Sequence, residues 1–167
     1  MLTSYAQNFE DVLLRRALRD VEAGFYIDIG AQDPVVDSVS RGFYELGWRG
    51  IHAEATPAYV ARLRQDRPDE TVVEGAVGTH RGLMKFFEIP GTGISTGNPE
   101  IAESHRKRGF DVREITVSTV TLDSIFRTCS GREIHWMKVD VEGMEREVLA
   151  SWGRNPARPW IVVVEST

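Results

Sequence analysis

A chain of 167 residues with 41% hydrophobic and 27% charged residues is long enough to bury one substantial core, and its composition excludes a disordered polymer. Its formal charge of −5 gives no basic field for nucleic acid or anionic lipid. A single cysteine, Cys129, excludes an internal disulfide framework and fits a reducing compartment. No basic n-region precedes an apolar h-region at the N-terminus, and no apolar run approaches the ~20 residues that span a bilayer. The expectation is one cytoplasmic domain over residues 1–167.

In chain order, helical spacing of Leu14, Ala17, Leu18 and Val21 predicts a first helix over 4–21, capped at Asn8. Gly24 opens an apolar run, Phe25-Tyr26-Ile27-Asp28-Ile29-Gly30-Ala31, that reads as a strand buried on both faces and ending in a carboxylate. Asp28 then meets donors from loop, ligand or water, or simply caps the turn. A helix over 37–46, stopped by Gly47, leads to a strand over 50–55. Thr56-Pro57 starts a helix that must stop near Arg67-Pro68, and 71–77 forms a third strand.

The βα alternation predicts a parallel sheet with right-handed crossovers. It breaks at 83–89, a strand after a Thr-His-Arg-Gly turn, followed by a Gly/Ser/Thr-rich loop over 90–98. A loop of that kind is often a binding loop, and residues 91–97 are expected to help shape an acceptor pocket, with Ser95 and Thr96 affecting acceptor use. Asn98-Pro99 starts a short polar helix ending before Gly109, and its Arg106-Lys107-Arg108 reads as a solvated face. A half-exposed strand over 112–120 and a helix from Thr121 to about Thr128 follow, with Cys129 beyond them a half-buried structural thiol. Then come a strand over 134–141, a helix carrying Val148, Leu149 and Trp152, and a last strand over 160–164.

In an open α/β sheet, ligands bind outside the carboxyl ends of the strands. Four of the five strands read here deliver a carboxylate to that edge, at Asp28, Glu54, Asp140 and Glu165, with Gly75-Ala76-Val77-Gly78 at the fifth. Glu54 either accepts both hydroxyls of a ribose or caps the helix beginning at Pro57. The turn after Asp28 lacks the glycines that let backbone approach a pyrophosphate, and Asp33 would repel phosphate. A phosphate-free nucleoside with a positive centre, such as S-adenosylmethionine, fits better. Lys138 and Asp140 share a strand face, so Lys138 is expected to pair with a carboxylate and Asp140 to bind or deprotonate a hydroxyl. His52, His80, His105 and His135 show no metal-ligand spacing, so no metal is expected, although cleft carboxylates are of the type that holds Mg²⁺ or Ca²⁺.

Ser4-Tyr5-Ala6-Gln7-Asn8-Phe9-Glu10-Asp11, Phe25-Tyr26-Ile27-Asp28-Ile29-Gly30-Ala31 and Met137-Lys138-Val139-Asp140-Val141-Glu142-Gly143 resemble the FkbM-type S-adenosylmethionine-dependent methyltransferases. The resemblance runs over nearly the whole chain. It implies a Rossmann-like class I methyltransferase fold, a mostly parallel sheet with helices on both faces, here with an inserted strand pair. It also implies O-methylation of a hydroxyl on a sugar, glycan or polyketide-like acceptor. By that likeness Asp28 and Gly30 lie on the cofactor's methionine side, Glu54 on its ribose, and Ala76 and Val77 near adenine, with Ala31 and Gln7 also binding the cofactor. Asp140, Glu142 and Lys138 form the catalytic group. Two departures stand out: Pro34 where members often carry glycine, and an end at Thr167 before two further strands of the usual sheet. The chain is then a compact version or an excised domain, and an open sheet edge would favour self-association. The alternatives are a non-catalytic binding domain of the same fold and a nicotinamide-dependent oxidoreductase.

Overall fold

The computed structural model describes residues 3–165, so the chain end noted at Thr167 lies outside the described residues. Its framework is a five-stranded, all-parallel sheet in the order β3-β2-β1-β7-β8. The strands are β1 (Phe25–Ile29), β2 (Arg49–Glu54), β3 (Thr71–Glu74), β7 (Trp136–Val139) and β8 (Ile161–Val164). With helices between the strands, this is the Rossmann-like arrangement expected. The first three strands run outward from the centre, and the chain then returns to add β7 on the other side of β1. The strand order therefore reverses between β1 and β7, which places a crevice at their carboxyl ends.

The apolar alternation of β1 explains its central place. Phe25, Ile27 and Ile29 face a cluster with Leu122, Ile125 and Phe126 of α5 (Leu122–Thr128) and Val148 of α6 (Glu145–Ala150). Tyr26 faces the opposite way, among Leu14 of α1 (Glu10–Ala17), Leu18, Phe43 of α2 (Arg41–Glu45), Trp48 and Trp136. Its ring stacks on Trp136 at 4.6 Å between centroids. Among the described residues no helix is long and apolar enough to cross a membrane.

The expected strand over 71–77 is two strands. At Gly75, φ is +145°, and a Cβ there would meet the Ser118 carbonyl at 2.7 Å. The chain turns at this glycine, and β4 (Ala76–Val77) leaves the main sheet to pair in parallel with β6 (Arg113–Val120). β5 (Gly82–Glu88) pairs antiparallel with the other edge of β6, so the expected inserted pair belongs to a three-stranded sheet, β4-β6-β5.

The first helix is shorter than its apolar spacing predicts, and Asn8 does not cap it. Phe9 takes the N-cap position at φ +62°, and Asp11 is fully buried. The Asp11 carboxylate accepts hydrogen bonds from Ser4 Oγ (2.8 Å), Tyr5 N (2.7 Å), Ala6 N (3.3 Å) and Val12 N (2.8 Å). One carboxylate thus takes the backbone N–H groups of Tyr5 and Ala6 and the Ser4 hydroxyl, folding residues 4–6 away from the helix. The two capping signals farther along hold: Asn98 accepts from Glu100 N and Ile101 N at the start of α4 (Pro99–Lys107), and Thr121 forms a capping box with Ser124.

Candidate functional site

The carboxyl ends of the strands are laced together by backbone bonds. Gly30 N donates to Ala53 O at 2.9 Å, Asp140 N to Ile29 O at 3.1 Å, and Glu165 N to Val139 O at 3.0 Å. Gly30 must be glycine: its φ is +76°, and any Cβ would run into the Asp140 carbonyl. Above this edge lie two adjoining clefts.

The first is walled by Ala53, Glu54, Tyr59, Ala76, Val77 and Phe86, with Gly30 also exposed to it. The second is lined by Gln7, Asn8, Glu10, Ala31, Asp37, Lys138 and Glu165. Gln32, Gly93, Asp140 and Glu142 border both. Of the residues singled out from sequence, Gly30, Glu54, Ala76 and Val77 therefore share the first cleft, and Gln7, Ala31 and Lys138 the second. Asp140 and Glu142 stand between the two.

Asp28 lines neither cleft. It points beneath the edge and is 1% exposed, with Oδ1 3.6 Å from Lys138 Nζ and Oδ2 3.9 Å from His52 Nδ1. Lys138 does take carboxylate partners: its ammonium bridges Asp28 and Asp140 (3.1 Å) and donates to the Gly30 carbonyl at 3.1 Å. Burial would lower the Lys138 pKa, but the charges of Asp28 and Asp140 outweigh it and raise it. Lys138 is a fixed cation that braces the turn after β1.

Asp140 is also held charged. Burial works against ionisation, yet the Lys138 charge and a hydrogen bond from Glu165 bring its pKa below the usual range. Its neighbours move the other way. Burial and the Asp140 and Glu145 charges push Glu142 up to about 7. The shared hydrogen bond with Asp140, then burial, push Glu165 up to about 8. One ionised carboxylate beside two that readily hold protons is a useful set for proton transfer. Asp140, Glu142 and Glu165 can also each turn an oxygen to within 4.8 Å of the others, so these are the residues that could hold a hard cation.

Backbone donors engage both oxygens of Glu54. Oε1 accepts from Thr56 N at 2.7 Å, ahead of α3 (Pro57–Asp66), and Oε2 accepts from Gln32 N at 2.9 Å. It still borders the cleft, and burial raises its pKa. Each oxygen keeps a lone pair for a ligand hydroxyl.

The turn 140–143 is built with care. Glu142 has φ +54° and Gly143 φ +93°. The Glu145 carboxylate accepts from Val141 N and Gly143 N at 3.1 Å, while Thr96 Oγ1 donates to the Glu142 carbonyl at 2.7 Å. Thr96 is fully buried and pairs with Phe87, so it acts as a clasp on this turn. Ser95 borders the first cleft, with Oγ accepting from Ile89 N at 2.9 Å. Gln32, Tyr59, Phe86 and Glu165 also line the clefts without having been candidate binding or catalytic residues. Glu165 was visible as a strand-end carboxylate; the other three carry no local signal.

A parallel sheet with a cleft at its strand-order reversal, walled by carboxylates and apolar groups, defines an α/β protein of the Rossmann-like class. The methyltransferase FkbM domain family matches residues 28–167, and the chain belongs to it; by family it is a methyltransferase. No curated protein and no solved structure matches. The Ser4–Asp11 stretch that shares the resemblance lies outside the matched residues.

Proposed function

We propose that the protein is an S-adenosylmethionine-dependent O-methyltransferase acting on a hydroxyl of a sugar, glycan or polyketide-like acceptor. The observation that carries this reading is the charge of the lining: the two clefts together present six carboxylates and one cation, Lys138, which is already paired. Such a lining repels the pyrophosphate of a nicotinamide dinucleotide and suits a nucleoside bearing an amino group and a sulfonium. The group fits the residues present: Ala76, Val77 and Phe86 offer a flat apolar wall for a base, and Glu54 offers acceptors for ribose hydroxyls.

When bound, S-adenosylmethionine supplies an electrophilic methyl group. The chain's own part is to align the acceptor oxygen and remove its proton. Asp140, ionised and at the border of the clefts, accepts the hydrogen bond of the acceptor hydroxyl, and Glu142, in its ionised form, takes up the proton. Much of the acceleration then comes from positioning. Asp28 acts from below, by holding Lys138 and through it the Gly30 carbonyl.

Isothermal titration of the folded protein with S-adenosylmethionine and S-adenosylhomocysteine tests the reading, and absence of heat at millimolar ligand overturns it. Binding without transfer to any polyol acceptor would move the protein to the non-catalytic alternative.

A further inference from the structure

The turn after β1 has no run of glycines to set its course: Gly30 is followed by Ala31-Gln32-Asp33-Pro34. Something else must hold residues 31–40, which supply Ala31, Gln32, Asp37 and Val39 to the cleft walls. Below this loop lies Arg67, the C-cap residue of α3, with no exposed surface. A buried guanidinium is tolerated only when its donors are used and its charge is matched.

Its donors divide into two sets. Nη2 donates to the Pro34 carbonyl at 2.6 Å and to Ser38 Oγ at 3.3 Å, and Nη1 reaches Ser40 Oγ at 3.2 Å; all three acceptors belong to the loop. Nη1 also meets the Tyr26 hydroxyl (3.1 Å) and Glu70 (3.3 Å), while Nε meets Asp66 (3.3 Å). Glu70 is in turn held by Tyr26 (2.6 Å) and His52 Nε2 (2.8 Å). The fork therefore joins a buried, charge-balanced anchor under the sheet to the backbone of the cleft loop. A lysine would balance Glu70 and Asp66, but a single ammonium cannot span both sets, because only the planar fork presents donors in two fixed directions.

We propose that Arg67 is a positioning residue: it sets the course of loop 31–40, and hence the cleft wall, in place of the glycines the turn lacks. The Pro34 carbonyl is its principal handle. The link to ligand affinity rests on the cofactor reading above; the link to loop order does not.

The test uses the full chain with Arg67→Lys, Arg67→Met and the double change Ser38→Ala with Ser40→Ala. Amide hydrogen exchange of residues 31–40 without ligand, thermal unfolding, and calorimetric titration with S-adenosylhomocysteine are measured on each. Arg67→Lys should keep a thermal midpoint well above that of Arg67→Met. It should nevertheless exchange 31–40 about tenfold faster and bind S-adenosylhomocysteine about tenfold more weakly, the scale of one lost charge-assisted hydrogen bond. The serine pair should shift both in the same direction by about threefold, and it decides the matter if the Arg67 variants do not fold. Wild-type protection and affinity in Arg67→Lys, or an unchanged loop in the serine pair, would overturn the proposal by reducing Arg67 to charge balance. If the wild-type protein binds no S-adenosylhomocysteine, the cofactor reading falls, while loop exchange still judges Arg67.

Discussion

The compartment beside β2 and β4 is walled by Ala53, Ala76, Val77 and Phe86, and Glu54 is the one carboxylate it does not share. The compartment toward β8 has Glu10, Asp37 and Glu165 of its own, with Lys138 as its only cation. Both sit on the same sheet edge, so the difference comes from what closes them. The first is closed by the second sheet, whose β4 and β5 bring small and aromatic apolar side chains. The second is closed by residues 7–10, held near Asp11, and by the end of β8. On the proposed reading, a flat apolar group and a polar, cationic group would be sorted on either side of Asp140 and Glu142, with the chemistry at the border.

Removing the border should have the largest effect. Asp140→Asn is expected to cut methyl transfer by about 10²–10³-fold while S-adenosylhomocysteine affinity changes less than about threefold. Equal losses in both, by steady-state kinetics and calorimetry, would assign Asp140 to the cofactor side and break the division. Filling the apolar compartment should act the opposite way. Ala76→Phe is expected to weaken S-adenosylhomocysteine binding by roughly 10–100-fold, with an overpacking cost of about 1–3 kcal/mol in urea unfolding. Unchanged affinity would move the base elsewhere.

Glu54→Gln leaves one oxygen to accept from the backbone but removes the charge. Affinity should fall about tenfold, the value of a charged hydrogen bond, and a ligand lacking ribose hydroxyls should lose nothing further. The smallest effect is one of pH. Glu142 is raised in the folded chain from an ordinary 4.5 to about 7, so the folded state holds its proton more tightly than the unfolded state. Its contribution to stability is complete below about pH 4.5 and disappears as pH rises through 7, a loss of about 1 kcal/mol after solvent screening. Urea midpoints at pH 5 and pH 8 should converge partly in Glu142→Gln; Glu165, raised in the same sense, keeps the remainder.

Much of this arrangement was readable along the chain. The Phe25–Ile29 strand, the Gly30 turn, the strand-end carboxylates and the caps at Asn98 and Thr121 are local signals, and each lies where the residues predict. The bend at Gly75 was hidden because Thr71–Val77 is β-prone throughout, and only the Ser118 backbone leaves no room for a straight course. The burial of Asp11 had no local signal: three of its four donors come from Ser4, Tyr5 and Ala6, folded back over it. The direction of Asp28 escaped for a simpler reason. Alternation fixes which face a side chain takes, and a carboxylate near a strand end does not reveal whether that face is floor or wall.

By itself, then, the sequence determined the family, the parallel sheet and the edge where its carboxylates gather, because these follow from periodicity and short motifs. Tertiary structure alone decided that Lys138 braces the Gly30 turn while lining the second cleft, that Thr96 clasps the turn at Glu142, and that Arg67 reaches Pro34 from 33 residues away. Those contacts join segments far apart in the chain. Nothing local encodes a partner that only folding brings near.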